Sequence, residues 1–143
     1  MTDLTWHTTK VAGRVAHYGV GGSGSPLVFL HGWGLSDRAY ARSLRQLIAA
    51  GLRVYAPALP GFGGTADLPA HERTLSGYGD WVAAFTHALE VTEPVTLVGH
   101  SFGGGVAIRV AHDHSELVAR LILVNSIGGS TWTDGRGVLK AIS

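Results

Sequence analysis

The chain has 143 residues, 45% of them apolar and 15% charged, with a formal net charge of +1. This balance suits a buried core and excludes a disordered chain or a strongly basic nucleic-acid binder. There is no cysteine, which excludes disulfides, thiolate catalysis and cysteine metal sites, and no run approaches the ~20 apolar residues of a membrane span.

The first residues, MTDLTWHTTKVAG, carry neither the basic nor the apolar segment of a signal peptide, so the expected location is the cytoplasm. Short apolar runs then mark strands at 13–20, 26–32, 53–59, 95–99 and 119–125. The first alternates and reads as an outer, antiparallel strand. The last three are nearly continuous hydrophobics, the pattern of strands buried on both faces of a parallel sheet. The 21 glycines cluster as GVGGSGS, HGWG, LPGFGG and GHSFGGG, each beside such a run, as tight turns at strand ends would require. The first cluster lacks the spacing of a dinucleotide-binding loop, and a strand rather than a helix follows it. A hairpin turn between the first two strands is the expected reading.

Helical patterns fill the gaps. Ser36 is placed to cap a helix that carries Ala39, Tyr40, Leu44, Leu47 and Ile48 on one face and stops at Gly51. A second helix spans 74–91 with Leu75, Tyr78, Val82, Phe85 and Leu89 on its apolar face. A third starts at the GHSFGGG cluster and ends near His112 or His114. The expected fold is therefore α/β: a doubly wound, mostly parallel sheet of about five strands with three helices and right-handed crossovers. Residues 126–143 show no strong period and read as a loop, with a short helix near GVLKAI.

The sequence VTLVGHSFGGG runs from strand to helix with Ser101 at the junction. In an open parallel sheet, ligands bind beyond the carboxyl ends of the strands. A direct strand-to-helix turn strains its apex and exposes the side chain there. Small residues at Gly99 and Gly103 let strand and helix approach, and the helix N-terminus offers free N–H groups to a developing negative charge. Such an arrangement suits a nucleophilic serine. The plain alternative is a glycine-rich turn with a capping serine. HGWG follows another buried strand and supplies a second candidate donor. An oxyanion hole takes backbone N–H groups from separate places, here Trp33 and Phe102. Gly32 and Gly34 would let that loop fold tightly, and His31 would hold it by hydrogen bonding rather than act in catalysis.

The pairing of HGWG with GHSFGG, with APALPGFGGT between them, resembles the α/β-hydrolase family from about Gly13 to Asn125. The resemblance implies Ser101 as nucleophile and the backbone N–H groups of Trp33 and Phe102 as oxyanion donors, with their side chains lining an acyl or alcohol pocket. His31, Gly32, Gly34, Gly99, His100 and Gly103 are the implied supporting residues. Many members have an acid where this chain has Ala58. Serine at the apex separates the chain from the dehalogenases and epoxide hydrolases that use a carboxylate nucleophile.

In that family the order is serine, acid, histidine. After Ser101 the histidines are His112 and His114, on the helix that leaves the elbow, with Asp113 and Glu116 beside them. Asn125 and Ser126 stand where some members carry the acid, and Asp134 would serve only if the tail folds back. His7, His17, His71 and His87 are not where the family keeps its base. The resemblance thus implies residues 1–125 as the N-terminal half of a hydrolase core and 126–143 as the start of a cap. Strand 119–125 would then lie inside the complete sheet. Left as an edge, it is expected to pair with a second copy or with a C-terminal half. The expected activity is hydrolysis of an apolar ester or related acyl compound through an acyl-enzyme, with no cofactor and no metal. C–C bond hydrolysis, perhydrolysis and lactone hydrolysis remain open. The alternative is a non-catalytic module that binds a small apolar ligand or its complementary half.

Overall fold

Alternating β-branched runs and helical periods build one sheet with helices on both faces. The computed structural model describes residues 3–127. In chain order it has β1 (Thr5–Val11), β2 (Arg14–Gly21), β3 (Pro26–Leu30), α1 (Ala41–Ala49), β4 (Arg53–Pro57), α2 (Leu75–Ala88), β5 (Val95–His100), α3 (Phe102–Asp113) and β6 (Val118–Val124). The strand order is β1-β2-β4-β3-β5-β6. β1 and β2 are antiparallel to each other, and β2 is antiparallel to β4; the other neighbours are parallel.

Period-2 alternation divides the core. Leu27 and Phe29 of β3 face Leu44 and Ile48 of α1, together with Val54 and Val98. Val28 and Leu30 face the other way, onto Tyr78, Val82 and Phe85 of α2 and Val106 and Val110 of α3. Leu44 and Phe85 are fully buried, each a contribution of ~1.5–3 kcal/mol. The helix boundaries follow local chemistry. Thr74 caps α2 by accepting from the Gly77 N–H at 3.0 Å. Gly51, at φ +97°, ends α1.

The described sheet has six strands, within the expected architecture of about five; the additional one, β1, is an edge strand, TWHTTKV, in which only Val11 is buried. The first apolar run is antiparallel, as read, yet β1 lies outside it. Three expectations need correction. GVGGSG does not close a hairpin, since β4 is inserted between β2 and β3; the turn crosses the start of β4, where the Arg53 N–H donates to the Ser25 carbonyl at 3.0 Å. Ser36 makes no side-chain cap: a 3-10 turn over Asp37–Tyr40 precedes α1 instead. β6 is also not buried on two faces. Leu121, Ile122, Leu123 and Val124 are all exposed, because β6 is the last strand of the described sheet. The tail beyond 127, with GVLKAI and Asp134, lies outside the described residues.

Candidate functional site

β3 and β5 are adjacent and parallel, with Leu30 opposite Gly99. Their carboxyl ends therefore launch two loops side by side. From β5 the chain turns directly into α3 at Ser101, whose φ of 55° and ψ of −116° are unusual for a residue with a Cβ. Backbone bonds pin this apex: the Ser101 N–H donates to the Val124 carbonyl at 3.0 Å, and its own carbonyl accepts from the Gly104 N–H at 3.0 Å and the Ile127 N–H at 3.1 Å. The turn closes because Gly99 and Gly103 leave room. A Cβ on Gly99 would overlap the Gly103 carbonyl, and one on Gly103 would overlap the Leu30 carbonyl and stand 2.5 Å from that of His31. Ser101 is half-buried, and among the described residues its hydroxyl has no hydrogen-bond partner.

The second loop, 31–34, lies against this apex. A Cβ on Gly32 would stand 3.4 Å from Ser101 Cβ. The loop turns at Gly34, φ +76°, with the Leu35 N–H donating to the Gly32 carbonyl at 3.2 Å. Among the described residues the N–H groups of Trp33 and Phe102 have no acceptor. Among the described residues, the two neighbouring loops thus carry one hydroxyl without a partner and two N–H groups without an acceptor, the second of them at a helix N-terminus.

His31 is fully buried. Its Nε2 lies 2.8 Å from the Leu59 N–H, which can only donate, so Nδ1 carries the proton and donates to the Gly32 carbonyl at 2.8 Å. Burial pushes the imidazole below the usual histidine range, partly offset by the Gly32 carbonyl. Both ring nitrogens are thereby committed to holding the loop. His100 reaches Tyr40, whose hydroxyl lies 2.7 Å from Nδ1 and accepts from the Gly32 N–H at 3.0 Å. The sequence places Tyr40 only on the apolar face of a helix and gives no sign of a contact across 60 positions.

The wall of the site is aromatic. The Trp33 ring is 63% exposed and meets Phe62 and Phe102 edge-to-face, each at 4.9 Å. Phe102 meets Tyr78 in the same way at 5.3 Å. Beside them opens a cleft of about 560 Å³ lined by Trp33, Leu75, Tyr78, Phe102, Arg73 and Arg109. Each arginine already faces a carboxylate, Arg73 that of Asp67 and Arg109 that of Asp113.

No described histidine serves the hydroxyl. His112 lies roughly 16 Å along α3 from the apex at ~1.5 Å per residue, and pairs with Asp113 at 2.7 Å. His114 pairs with Asp80 of α2 at 2.8 Å. His7 faces Thr5, His71 faces Glu72, His17 packs beside Gly64, and His87 is exposed on α2. Glu116 sits on the 3-10 turn after α3, at the far end of that helix. Among the described residues, no group of three histidine, aspartate or glutamate side chains is placed to hold a metal.

A sequence model described as "Alpha/beta hydrolase family" matches residues 27–142. The chain is 41% identical over 100 residues to a pimeloyl-[acyl-carrier protein] methyl ester esterase of Aromatoleum aromaticum, covering 70% of this chain and 36% of that one. It is 34% identical over 133 residues to a soluble epoxide hydrolase of a Corynebacterium species, covering 90% and 44%. Among solved structures, a bacterial membrane phospholipase A superposes with a TM-score of 0.80 at 30% identity, over 86% of this chain and 40% of that one. The chain therefore spans less than half the length of each of these relatives.

Proposed function

The chain belongs to the α/β-hydrolase family, and on that premise we propose that it is a serine hydrolase acting on an ester or related acyl substrate through an acyl-enzyme. The observation that carries this reading is Ser101 at φ 55°, whose hydroxyl has no hydrogen-bond partner among the described residues, beside the N–H groups of Trp33 and Phe102, which have no acceptor among those residues. Ser101 Oγ attacks the substrate carbonyl carbon and passes its proton to a base. The developing oxyanion receives hydrogen bonds from Trp33 and Phe102, and the C–O bond breaks as the base passes that proton to the departing alcohol oxygen. Water then attacks the acyl-enzyme and frees the acid. Trp33, Phe102 and Tyr78 offer an apolar wall for the acyl or alcohol group. His31, Gly32, Gly34, Gly99, His100 and Gly103 hold the two loops in register. The similarity to an epoxide hydrolase does not shift the choice of nucleophile, because serine occupies the apex here.

The base and acid of this proposal lie outside the described residues. We place residues 1–125 as the first half of the hydrolase core and 126–143 as the start of a cap, in a cytoplasmic protein. The exposed apolar strand β6 then pairs with a second copy or with a C-terminal half. A second reading, a non-catalytic module binding a small apolar ligand or its complementary half, is favoured by one observation: every described histidine is committed elsewhere or remote from Ser101.

A fluorophosphonate probe decides between them. Labelling of the chain, by itself or with a C-terminal hydrolase segment added, and its loss in Ser101→Ala are the expected result. Labelling that appears only when a C-terminal hydrolase segment is added assigns the base to that segment. No labelling under either condition overturns the serine-hydrolase reading and leaves the binding module.

A further inference from the structure

Tyr40 stands outside both glycine-rich loops, yet its hydroxyl touches each of them. The Gly32 N–H can only donate, so Tyr40 Oη accepts from it at 3.0 Å. The same hydroxyl lies 2.7 Å from His100 Nδ1, close enough to donate to that nitrogen or accept from it. Gly32 immediately precedes Trp33, and His100 immediately precedes Ser101. One hydroxyl therefore joins the residue before the candidate oxyanion donor to the residue before the candidate nucleophile. The ring that carries it is held by packing: Phe29 lies 4.6 Å away by centroids, and the His100 ring meets it edge-to-face at 5.6 Å. The joint is also tight, because a Cβ on Gly32 would stand 3.4 Å from both Tyr40 Oη and Ser101 Cβ.

We infer that Tyr40 is a positioning residue, whose hydroxyl fixes the spacing between the Trp33 N–H and the Ser101 hydroxyl through the hydrogen bonds to Gly32 and His100. The inference rests on the serine-hydrolase reading above. Two loops carried by separate strands have no covalent reason to keep a sub-ångström register, whereas stabilisation of an oxyanion depends on donors held at hydrogen-bond distance from it. The aromatic ring secures the hydroxyl at little entropic cost, since few of its torsions need fixing.

The test uses Tyr40→Phe, which keeps the ring packed on Phe29 and removes only the hydroxyl. Fluorophosphonate labelling is measured in whichever form of the protein labels, the chain by itself or with a C-terminal hydrolase segment, and is resolved into the probe's binding constant and its maximal inactivation rate. The expected result is a fall of ~10-fold or more in the maximal rate, on the scale of a misplaced oxyanion donor, with the binding constant within twofold of wild type. In parallel, the Gly32 amide proton exchanges at least ~10-fold faster by NMR, as an amide that has lost its acceptor does. His100→Leu lowers the same rate, and the double variant is no slower than the slower single one, because both changes break one chain of bonds. An unchanged maximal rate in Tyr40→Phe overturns the inference while leaving the serine-hydrolase reading intact. Equal loss of binding and rate, with a general loosening of amide protection, reduces Tyr40 to a packing residue and also overturns it. A wild-type protein that never labels overturns the underlying reading, and the inference with it.

Discussion

The Ser101 N–H donates to the carbonyl of Val124 at 3.0 Å, so the apex of the strand-to-helix turn is tied to the last residue of the neighbouring strand β6. This bond and the return bond from the Ile127 N–H hold a backbone conformation that a residue with a Cβ avoids. Such conformations cost ~1–3 kcal/mol each. Ser101→Gly removes the strain at the cost of a more flexible unfolded chain, and the net expectation is a gain of ~1 kcal/mol. Urea denaturation checks it: the midpoint rises in Ser101→Gly and stays near wild type in Ser101→Ala. A midpoint that falls in the glycine variant would mean the apex is not strained.

Gly103→Ala tests the approach of α3 to β3. The new methyl group would meet the carbonyl oxygens of Leu30 and His31, backbone atoms that cannot rotate away. Helix and strand must separate, and the expected loss is ~3 kcal/mol, at the upper end of overpacking effects. Chemical denaturation measures it. An alanine variant within ~0.5 kcal/mol of wild type, the range of an ordinary surface substitution, would show that the turn has slack.

His31 makes stability fall on the acid side. Burial lowers its pKa in the folded chain, so the folded state holds the imidazole neutral while the unfolded state takes up a proton below pH ~6.5. The unfolded state then binds more protons, and stability rises with pH across that window. The contribution is complete above pH ~6.5 and is lost as pH falls toward the folded value, with a slope of at most ~1.4 kcal/mol per pH unit. Denaturation midpoints between pH 7.5 and 5 follow this slope in wild type, and the slope flattens in His31→Gln. Equal slopes in the two proteins would remove His31 as its source.

β6 presents Leu121, Ile122, Leu123 and Val124 to solvent, between 38% and 47% exposed, along the free edge of the described sheet. A flat apolar edge is a template for strand pairing. Sedimentation of the chain by itself is expected to give species heavier than a monomer, shifting toward the monomer in Ile122→Lys. A monodisperse wild-type monomer at high concentration would count against the pairing.

Much of this was legible in the chain. Val95 to Val98 announce a strand buried on two faces, and Tyr78, Val82 and Phe85 recur at helical spacing; both signals are local, and the structure keeps them. Ser101 between Gly99 and Gly103 marked the turn for the same reason, since the sterics of a strand-to-helix reversal act over a few residues. β1 was not legible, because an edge strand with exposed polar side chains satisfies its backbone by pairing with β2 rather than by burying a face. The GVGGSG turn likewise holds no record that β4 slides between the strands it joins.

The sequence by itself determined the alternation of elements, the location of the apex and the absence of thiol chemistry, because these follow from period, glycine placement and composition. Tertiary structure alone decided that β4 inserts between β2 and β3, that His31 is neutral with both nitrogens spoken for, and that Tyr40 bridges Gly32 and His100. Each of those depends on contacts between residues distant along the chain, and hydrogen bonding and burial across such distances come into being only when the sheet order is set.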